Sequence, residues 1–160
     1  MRIVIGAVGR MKTGPERELA ARYLDRADKA GRPLGLGPVE VREIGESRAD
    51  RAAARKDEEA AGLLAGLPER SAIFVLDERG ETPTSEDFAG HIAAVRDGGT
   101  PTLALLIGGA DGHGEAVLAA ARRRIALGRL TFPHQIVRIL VAEQLYRAVT
   151  ILAGHPYHRA

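Results

Sequence analysis

The 160-residue sequence contains no cysteine and no tryptophan. The absence of cysteine excludes disulfides, thiolate catalysis and cysteine-ligated zinc or iron–sulfur sites, and we expect no bound metal. There is no secretory leader pattern and no apolar run of about 18 residues, so we expect no membrane segment. These absences favour a cytoplasmic protein. Because 45% of the residues are hydrophobic, we expect a single folded domain over residues 1–160.

Two standard phosphate-binding fingerprints are also missing. The chain has no G-x-x-x-x-G-K-[ST] loop, and its glycine cluster GGADGHG at 108–114 does not fit G-x-G-x-x-G. The apolar segments 102–107 and 125–127 nevertheless run directly into glycine turns, where backbone groups can approach a ligand closely. Because these surroundings are apolar rather than rich in lysine, the pattern favours a nucleoside over a triphosphate. A tight strand-to-helix turn without a ligand is the alternative.

Most of the positive charges are arginines, and the formal net charge is only +2. Guanidinium groups suit phosphate and base recognition, but an arginine-rich composition also follows from a GC-rich genome. The most polar stretch, 45–59, is either a solvated loop that leads into a helix or an arm that contacts RNA phosphates. Composition alone therefore leaves nucleic-acid binding open.

Strand-like and helical patterns alternate along the chain. Apolar or alternating segments predict strands at 2–8, 39–44, 71–76, 102–107 and 125–127. The residues between them have helical spacing, with a capping box at Thr13 and Glu16 and a turn at 77–80. This order predicts an α/β fold with a parallel sheet that is covered by helices on both faces.

The last predicted helix, which opens at Pro133 and runs to about Ala153, has apolar residues around most of its circumference. One core face cannot account for them all, so we expect burial on two sides. In so small a chain, the second side is most simply another subunit, which predicts a homodimer.

Several motifs together resemble one known family. They are LTFPHQIVRILVAEQLYRA at 130–148 and HPYHR at 155–159, with supporting matches at 4–9, at Leu76-Asp77-x-x-Gly80, at Ser85-Glu86 and at Ile107-Gly108-Gly109-x-x-Gly112. The chain resembles, over its whole length, the ribosomal RNA large subunit methyltransferase H family, which are small members of the SPOUT class.

The resemblance implies a deep trefoil knot in the C-terminal part, over about 102–153, which is an exception to the rule that chains are unknotted. It implies a homodimer that binds S-adenosylmethionine in the knot and methylates N3 of a pseudouridine in 23S (large-subunit) rRNA on assembled ribosomes. Carried over by position, the cofactor contacts fall on Leu76, Gly108, Gly109, Leu127, Gly128, Arg129, Leu130, Thr131 and Phe132.

The same resemblance, together with side-chain chemistry, selects the other site residues. His158, Tyr157 and His134 are the candidates for the catalytic base, since histidine titrates near neutrality. Arg138, Arg147, His155 and Arg159 are the candidates for substrate binding, because a guanidinium stays charged and positions phosphates or bases. We expect a composite site with the cofactor from one subunit and C-terminal residues from the other. A ribosome-binding module without turnover and an enzyme for another RNA, such as tRNA, are the alternatives.

Overall fold

In the computed structural model, which describes residues 1–158, five strands form one parallel sheet. The strands are β1 (Arg2–Val8), β2 (Val39–Ile44), β3 (Ser71–Glu81), β4 (Thr102–Ile107) and β5 (Arg123–Ile125), and their order in the sheet is β2-β1-β4-β3-β5. Every pairing is parallel, so the loops that follow the strands all lie at the same edge of the sheet. That edge is where open α/β sheets bind ligands.

Five helices cover the two faces of this sheet, as the sequence predicts. They are α1 (Pro15–Gly31), α2 (Ala52–Ala65), α3 (Ser85–Asp97), α4 (Glu115–Ala120) and α5 (His134–Leu152). Alternate residues of β4 point to opposite sides. Leu103 and Leu105 belong to a core that includes side chains of α3 and α5, whereas Ala104 and Leu106 belong to a core that includes side chains of α2 and α4.

Helix α5 lies between α1 and α3 and contacts both of them. Its residues Val141, Leu145 and Ala148 are buried against the sheet and these two helices. The apolar circumference that we attributed to a second subunit is therefore covered in part within one chain, since Val137, Ile139, Leu140 and Ile151 stay only partly buried. Near the start of α5, Ile136 is 38% exposed and the preceding Leu130 is 78% exposed. The homodimer, the single domain and the knot stay predictions.

The expected turn at 77–80 is wrong, because the structure includes these residues in β3. Leu76 and Glu81 both pair with Ile125, so the intervening residues form an irregularity and the strand continues beyond it. An ion pair joins β5 to the part of β3 that follows this irregularity, because Arg123 Nη1 lies 2.7 Å from Glu81 Oε1. The Asp-Glu-Arg-Gly composition suits a turn, but these tertiary contacts with β5 extend the strand.

The predicted capping box at Thr13 is also wrong. Helix α1 begins after Gly14, and no side chain caps it. A reciprocal capping box occurs instead at α3, where the Thr84 hydroxyl accepts from the Asp87 N–H and the Asp87 carboxylate accepts from the Thr84 N–H. This cap fixes the start of α3 beside the loop that follows β3.

None of the helices over residues 1–158 is long and apolar enough to cross a bilayer.

Candidate functional site

Two neighbouring clefts open at the edge where the strands end. The first, of about 350 Å³, is lined by Leu76, the glycine turn at 107–110 and 112, His113, Phe132, His134 and Val137. The second is lined by residues 76–78, 125–128 and 130–132, and again by Val137. Leu76, Phe132 and Val137 belong to both clefts. All the residues that we predicted to contact the cofactor, except Arg129, line one of the two, which is the arrangement expected of a small-molecule site.

The turn after β4 presents its backbone to the first cleft. Gly112 N–H donates to the Gly109 carbonyl at 3.0 Å, and Gly112 has a φ of 84°, which favours glycine. A Cβ on Gly108 would lie only 3.1 Å from the Gly112 carbonyl carbon. The turn therefore folds back on itself so tightly that it offers main-chain donors and acceptors rather than side chains.

His134 closes one side of the first cleft. Its Nε2 lies 3.0 Å from the Gly108 carbonyl oxygen, and because a carbonyl can only accept, this nitrogen carries the proton. Burial lowers the pKa of His134, and the positive charge of Arg138 lowers it further. His134 is therefore a neutral imidazole near pH 7, with Nδ1 as its acceptor atom.

A second histidine, His113, was not among the predicted site residues. It is buried, and its Nε2 lies 3.1 Å from the carbonyl oxygen of Leu76, so it joins the glycine turn to the end of β3. Burial lowers the pKa of this imidazole below 6.5, and its Nδ1 has no hydrogen-bond partner among residues 1–158. The only signal in the sequence was a histidine inside a glycine cluster.

His113 makes folding sensitive to acid. Its lowered pKa means that the unfolded chain takes up a proton more readily than the folded chain as the pH falls. The stability from neutral His113 is therefore complete above about pH 6.5 and is lost as the pH falls from there towards the folded-state pKa. We expect His113→Gln to flatten the pH dependence of the unfolding free energy, measured by urea titration between about pH 5.5 and about pH 7.5. A slope equal to that of the wild type would contradict this assignment.

The predicted C-terminal residues form a separate cluster on α5. The Tyr157 hydroxyl donates to Glu143 Oε1 at 3.1 Å, and the same oxygen accepts from Arg147 Nε at 3.0 Å. The Arg147 guanidinium carbon lies 5.0 Å from the centroid of the Tyr157 ring. Burial, a hydrogen bond with Tyr23 and the charge of Glu143 raise the pKa of Tyr157 to about 12. Tyr157 therefore stays protonated near neutrality within one chain, and its catalytic role stays a prediction.

His158 contacts the first turn of α3. Its Nε2 lies 2.5 Å from Glu86 Oε1, and its Nδ1 is a buried atom with no hydrogen-bond partner in the part of the chain that the structure describes. His155 is exposed, and its Nδ1 accepts from the Tyr157 N–H at 3.1 Å. Arg159, which we predicted to bind substrate, lies outside the described residues.

The structure does not favour Arg138 as a substrate-binding residue. This side chain is 7% exposed, and its guanidinium donates to Glu43 and, at 3.2 Å, to the Gly9 carbonyl. It therefore joins α5 to β2 and to the end of β1, and its charge is already neutralised inside the protein. The apolar spacing of the helix could not reveal which arginine points inwards.

Within one chain, the C-terminal cluster is displaced from the clefts along α5. Glu143 follows His134 by nine positions, which is roughly 14 Å along a helix. An apolar cavity of about 260 Å³ is lined by Leu127 and Gly128 together with Ser85 and Gln144. The fold therefore brings the predicted cofactor residues together and the predicted C-terminal residues together, but it keeps the two groups apart.

No group of three or more histidine, aspartate or glutamate side chains within residues 1–158 is arranged to hold a metal ion. The clefts instead offer apolar walls and main-chain groups, which suit a nucleoside-containing ligand better than a metal.

Comparisons with known proteins agree with these features. The family model described as "Predicted SPOUT methyltransferase" matches residues 1–158. The chain is 59% identical over 160 residues to a protein of Xanthobacter autotrophicus and 58% identical over 160 residues to one of Sinorhizobium fredii. Both are named ribosomal RNA large subunit methyltransferase H, and each match covers 100% of both chains.

A solved structure, the "Probable Methyltransferase from Bordetella pertussis Tohama I", has a similar fold. Its TM-score is 0.50 at 16% sequence identity, and the match covers 92% of this chain and 96% of that one. At this identity the likeness supports the fold alone. The full-length matches in sequence establish more, and the chain belongs to the ribosomal RNA large subunit methyltransferase H family of SPOUT methyltransferases.

Proposed function

We propose that this protein transfers a methyl group from S-adenosylmethionine to N3 of a pseudouridine in 23S rRNA on assembled ribosomes, and that it acts as a homodimer. Membership of a methyltransferase family supports the reaction, and the name of its full-length relatives supports large-subunit rRNA as the substrate. The geometry that supports it best is the convergence of three separate segments, at 76, 108–109 and 127–132, around one pair of clefts.

The residues present fit this cofactor. Leu76, Leu127 and Phe132 provide an apolar slot of the kind that an adenine needs, and the turn at 108–112 provides main-chain groups beside it. A Cβ on Gly128 would meet no atom within 4 Å, so the backbone there is open to a ligand. When bound, the cofactor supplies an activated methyl group on a sulfonium.

The work left to the protein is positioning and proton removal. The N3–H of the base must lose its proton while the new N–C bond forms and the S–C bond of the cofactor breaks, so a group must accept that proton. Among the predicted candidates, His158 lies against the carboxylate of Glu86, which can orient the imidazole ring. His134 lines the cofactor cleft and its Nε2 is bonded to the Gly108 carbonyl, so we assign it to cofactor-site architecture. We assign His158 as the base because it belongs to the matched C-terminal motif at 155–159.

The separation of the two residue groups supports the proposed homodimer. Tyr157 and His158 lie beside Glu143 and Glu86, away from the clefts of their own chain. A second copy that packs near the exposed Leu130 and Ile136 could bring its C-terminal residues to these clefts. Arg147 and His155 of the same segment, and Arg159 outside the described residues, then remain candidates for contact with RNA.

Gly128→Ala should weaken cofactor binding. Gly128 has a φ of 148°, and alanine there is strained by about 1–3 kcal/mol unless the cofactor loop shifts. We therefore expect the dissociation constant for S-adenosylmethionine, measured by isothermal titration calorimetry, to rise by roughly tenfold or more.

Gly99→Ala is the matched control, because Gly99 also has a left-handed φ, of 72°, and an added Cβ would also meet nothing within 4 Å. It lies in the turn between α3 and β4, at the opposite edge of the sheet. Both variants should lose some stability, but only Gly128→Ala should lose affinity. Equal affinity for S-adenosylmethionine in both variants would contradict the proposal that the 127–132 loop contacts the cofactor.

A further inference from the structure

Within the polar stretch at 45–59, the segment 47–59 is attached to the glycine turn by the guanidinium group of Arg55. Arg55 Nε donates to Asp111 Oδ2 at 2.7 Å, and Arg55 Nη2 donates to Asp111 Oδ1 at 3.1 Å. Arg55 Nη1 also donates to the carbonyl oxygens of Ala49 and Asp50, at 3.0 and 3.1 Å. One side chain therefore joins the loop before α2, the first turns of α2 and the turn after β4. Paired bonds of this kind fix orientation as well as proximity.

Close packing reinforces this attachment behind the turn. A Cβ on Gly109 would lie 2.6 Å from Glu59 Oε2, and a Cβ on Gly114 would lie 2.4 Å from the Lys56 carbonyl oxygen. Glu59 is buried, and its Oε1 accepts from the Ser47 N–H at 3.0 Å. The turn at 108–114 therefore rests directly on α2, with no room to move towards it.

The two sides of this turn have different neighbours. Gly108 and Gly109 line the predicted cofactor cleft, whereas Asp111 is held by Arg55 of α2. A change in the Arg55–Asp111 pair must alter the conformations that the turn can adopt, because Gly112 is itself bonded to Gly109. Cofactor affinity depends on how much of the time the turn has its binding conformation.

We propose that Arg55 and Asp111 are positioning residues, which hold the glycine turn in its cofactor-binding shape and thereby couple the 47–59 segment to cofactor binding. This inference rests on the proposed function. Because such coupling is reciprocal, the bound cofactor must also stabilise the segment. The segment that looked in the sequence like a solvated loop or an RNA arm thus acquires a role in forming the cofactor site.

The test is a charge exchange measured by cofactor binding. We expect Arg55→Asp and Asp111→Arg each to raise the dissociation constant for S-adenosylmethionine roughly fivefold, because each removes the pair and places like charges together. The double variant should recover most of the affinity. In a methyl-transfer assay, the single variants should raise KM for the cofactor and leave kcat near that of the wild type, since no reacting atom is touched.

Arg32→Ala is the matched control, because Arg32 also makes two hydrogen bonds to one carboxylate, that of Asp28, in a part of the fold without predicted cofactor residues. It should leave cofactor affinity unchanged. If a charge-reversed variant does not fold, the milder Arg55→Lys and Asp111→Asn replace it. Each should bind S-adenosylmethionine more weakly than the wild type does.

Hydrogen exchange gives an independent readout of the coupling. The amides of residues 47–59 should become more protected when S-adenosylmethionine is added to the wild type, and less so in Arg55→Asp. Wild-type affinity in both single variants, or no recovery in the double variant, would overturn the positioning role. A wild-type protein that does not bind the cofactor at all would instead contradict the proposed function.

Discussion

The variant Tyr157→Phe/His158→Gln is expected to transfer methyl groups at least about a hundredfold more slowly than the wild type, because a positioned base contributes roughly 10²–10⁴-fold. Its affinity for S-adenosylmethionine should be unchanged, since neither side chain lines the predicted cofactor clefts. Single-turnover rates with saturating cofactor, together with calorimetric binding, separate the two effects.

The single variants distinguish the two side chains. His158→Gln alone should account for most of the loss, because Tyr157 has a pKa of about 12 and remains a hydrogen-bond donor to Glu143. Tyr157→Phe removes that donor and should slow the reaction much less. A Tyr157→Phe enzyme as impaired as the double variant would show that the phenol, rather than the imidazole, is essential.

Mixing two impaired variants, at a cofactor concentration that the wild type binds but Gly128→Ala does not, tests whether one site uses two chains. Gly128→Ala damages the predicted cofactor side, and His158→Gln damages the predicted base. If the site is composite, half of an equimolar mixture is heterodimer, and each heterodimer has one intact site, so roughly a quarter of the wild-type activity returns. No recovery after the subunits have exchanged would place both residues in the same chain's site.

Gly80→Ala should both destabilise the fold and weaken cofactor binding. A Cβ on Gly80 would lie 2.5 Å from the carbonyl carbon of Arg124 and 2.6 Å from the Ile125 nitrogen, which are backbone atoms of β5. The strands must separate to admit it, at a cost of about 1–3 kcal/mol. Because the loop at 126–132 follows β5 directly, the predicted cofactor contacts must move with it.

Gly90→Ala is the control for this substitution. Gly90 is exposed on α3, and an added Cβ would meet no atom within 4 Å. In a helix, alanine is favoured over glycine by up to about 1 kcal/mol, so this variant should be slightly more stable than the wild type. Urea unfolding measures the stability of each variant, and calorimetry measures its affinity for the cofactor. A Gly80→Ala protein as stable as Gly90→Ala would contradict the close approach of β3 and β5.

The alternation of apolar and polar segments was sufficient to predict that five strands exist and that helices cover them, although β5 lies at Arg123–Ile125 rather than at the predicted 125–127. Parallel strands are short and buried on both faces, as Leu103 to Leu106 illustrate, so their pattern is strong. Residues 77–80 were misassigned because their composition suits a turn, whereas their place in β3 depends on the pairing of Leu76 and Glu81 with Ile125, over forty positions later. Local sequence carries no information about such a distant partner.

The motifs predicted which residues come together at the clefts better than they predicted the partners of the charged side chains. Leu76, Gly108 and Phe132 converge because the fold places the ends of the parallel strands at one edge. The partners of Arg138 and Arg55, which are Glu43 and Asp111, are distant in sequence, and many carboxylates compete for each guanidinium. Spacing reveals an ion pair only within one helix, as for Glu143 and Arg147.

The most direct test of the central claim is the transfer of a labelled methyl group from S-adenosylmethionine to ribosomes that lack the modification. Assembled ribosomes, free large subunits, naked rRNA and tRNA should be compared at the same ionic strength, because RNA affinity depends on salt. Label on assembled ribosomes, mapped to N3 of a pseudouridine in 23S rRNA, is the predicted result. Label on tRNA instead, or no label although the protein binds both cofactor and ribosome, would contradict it.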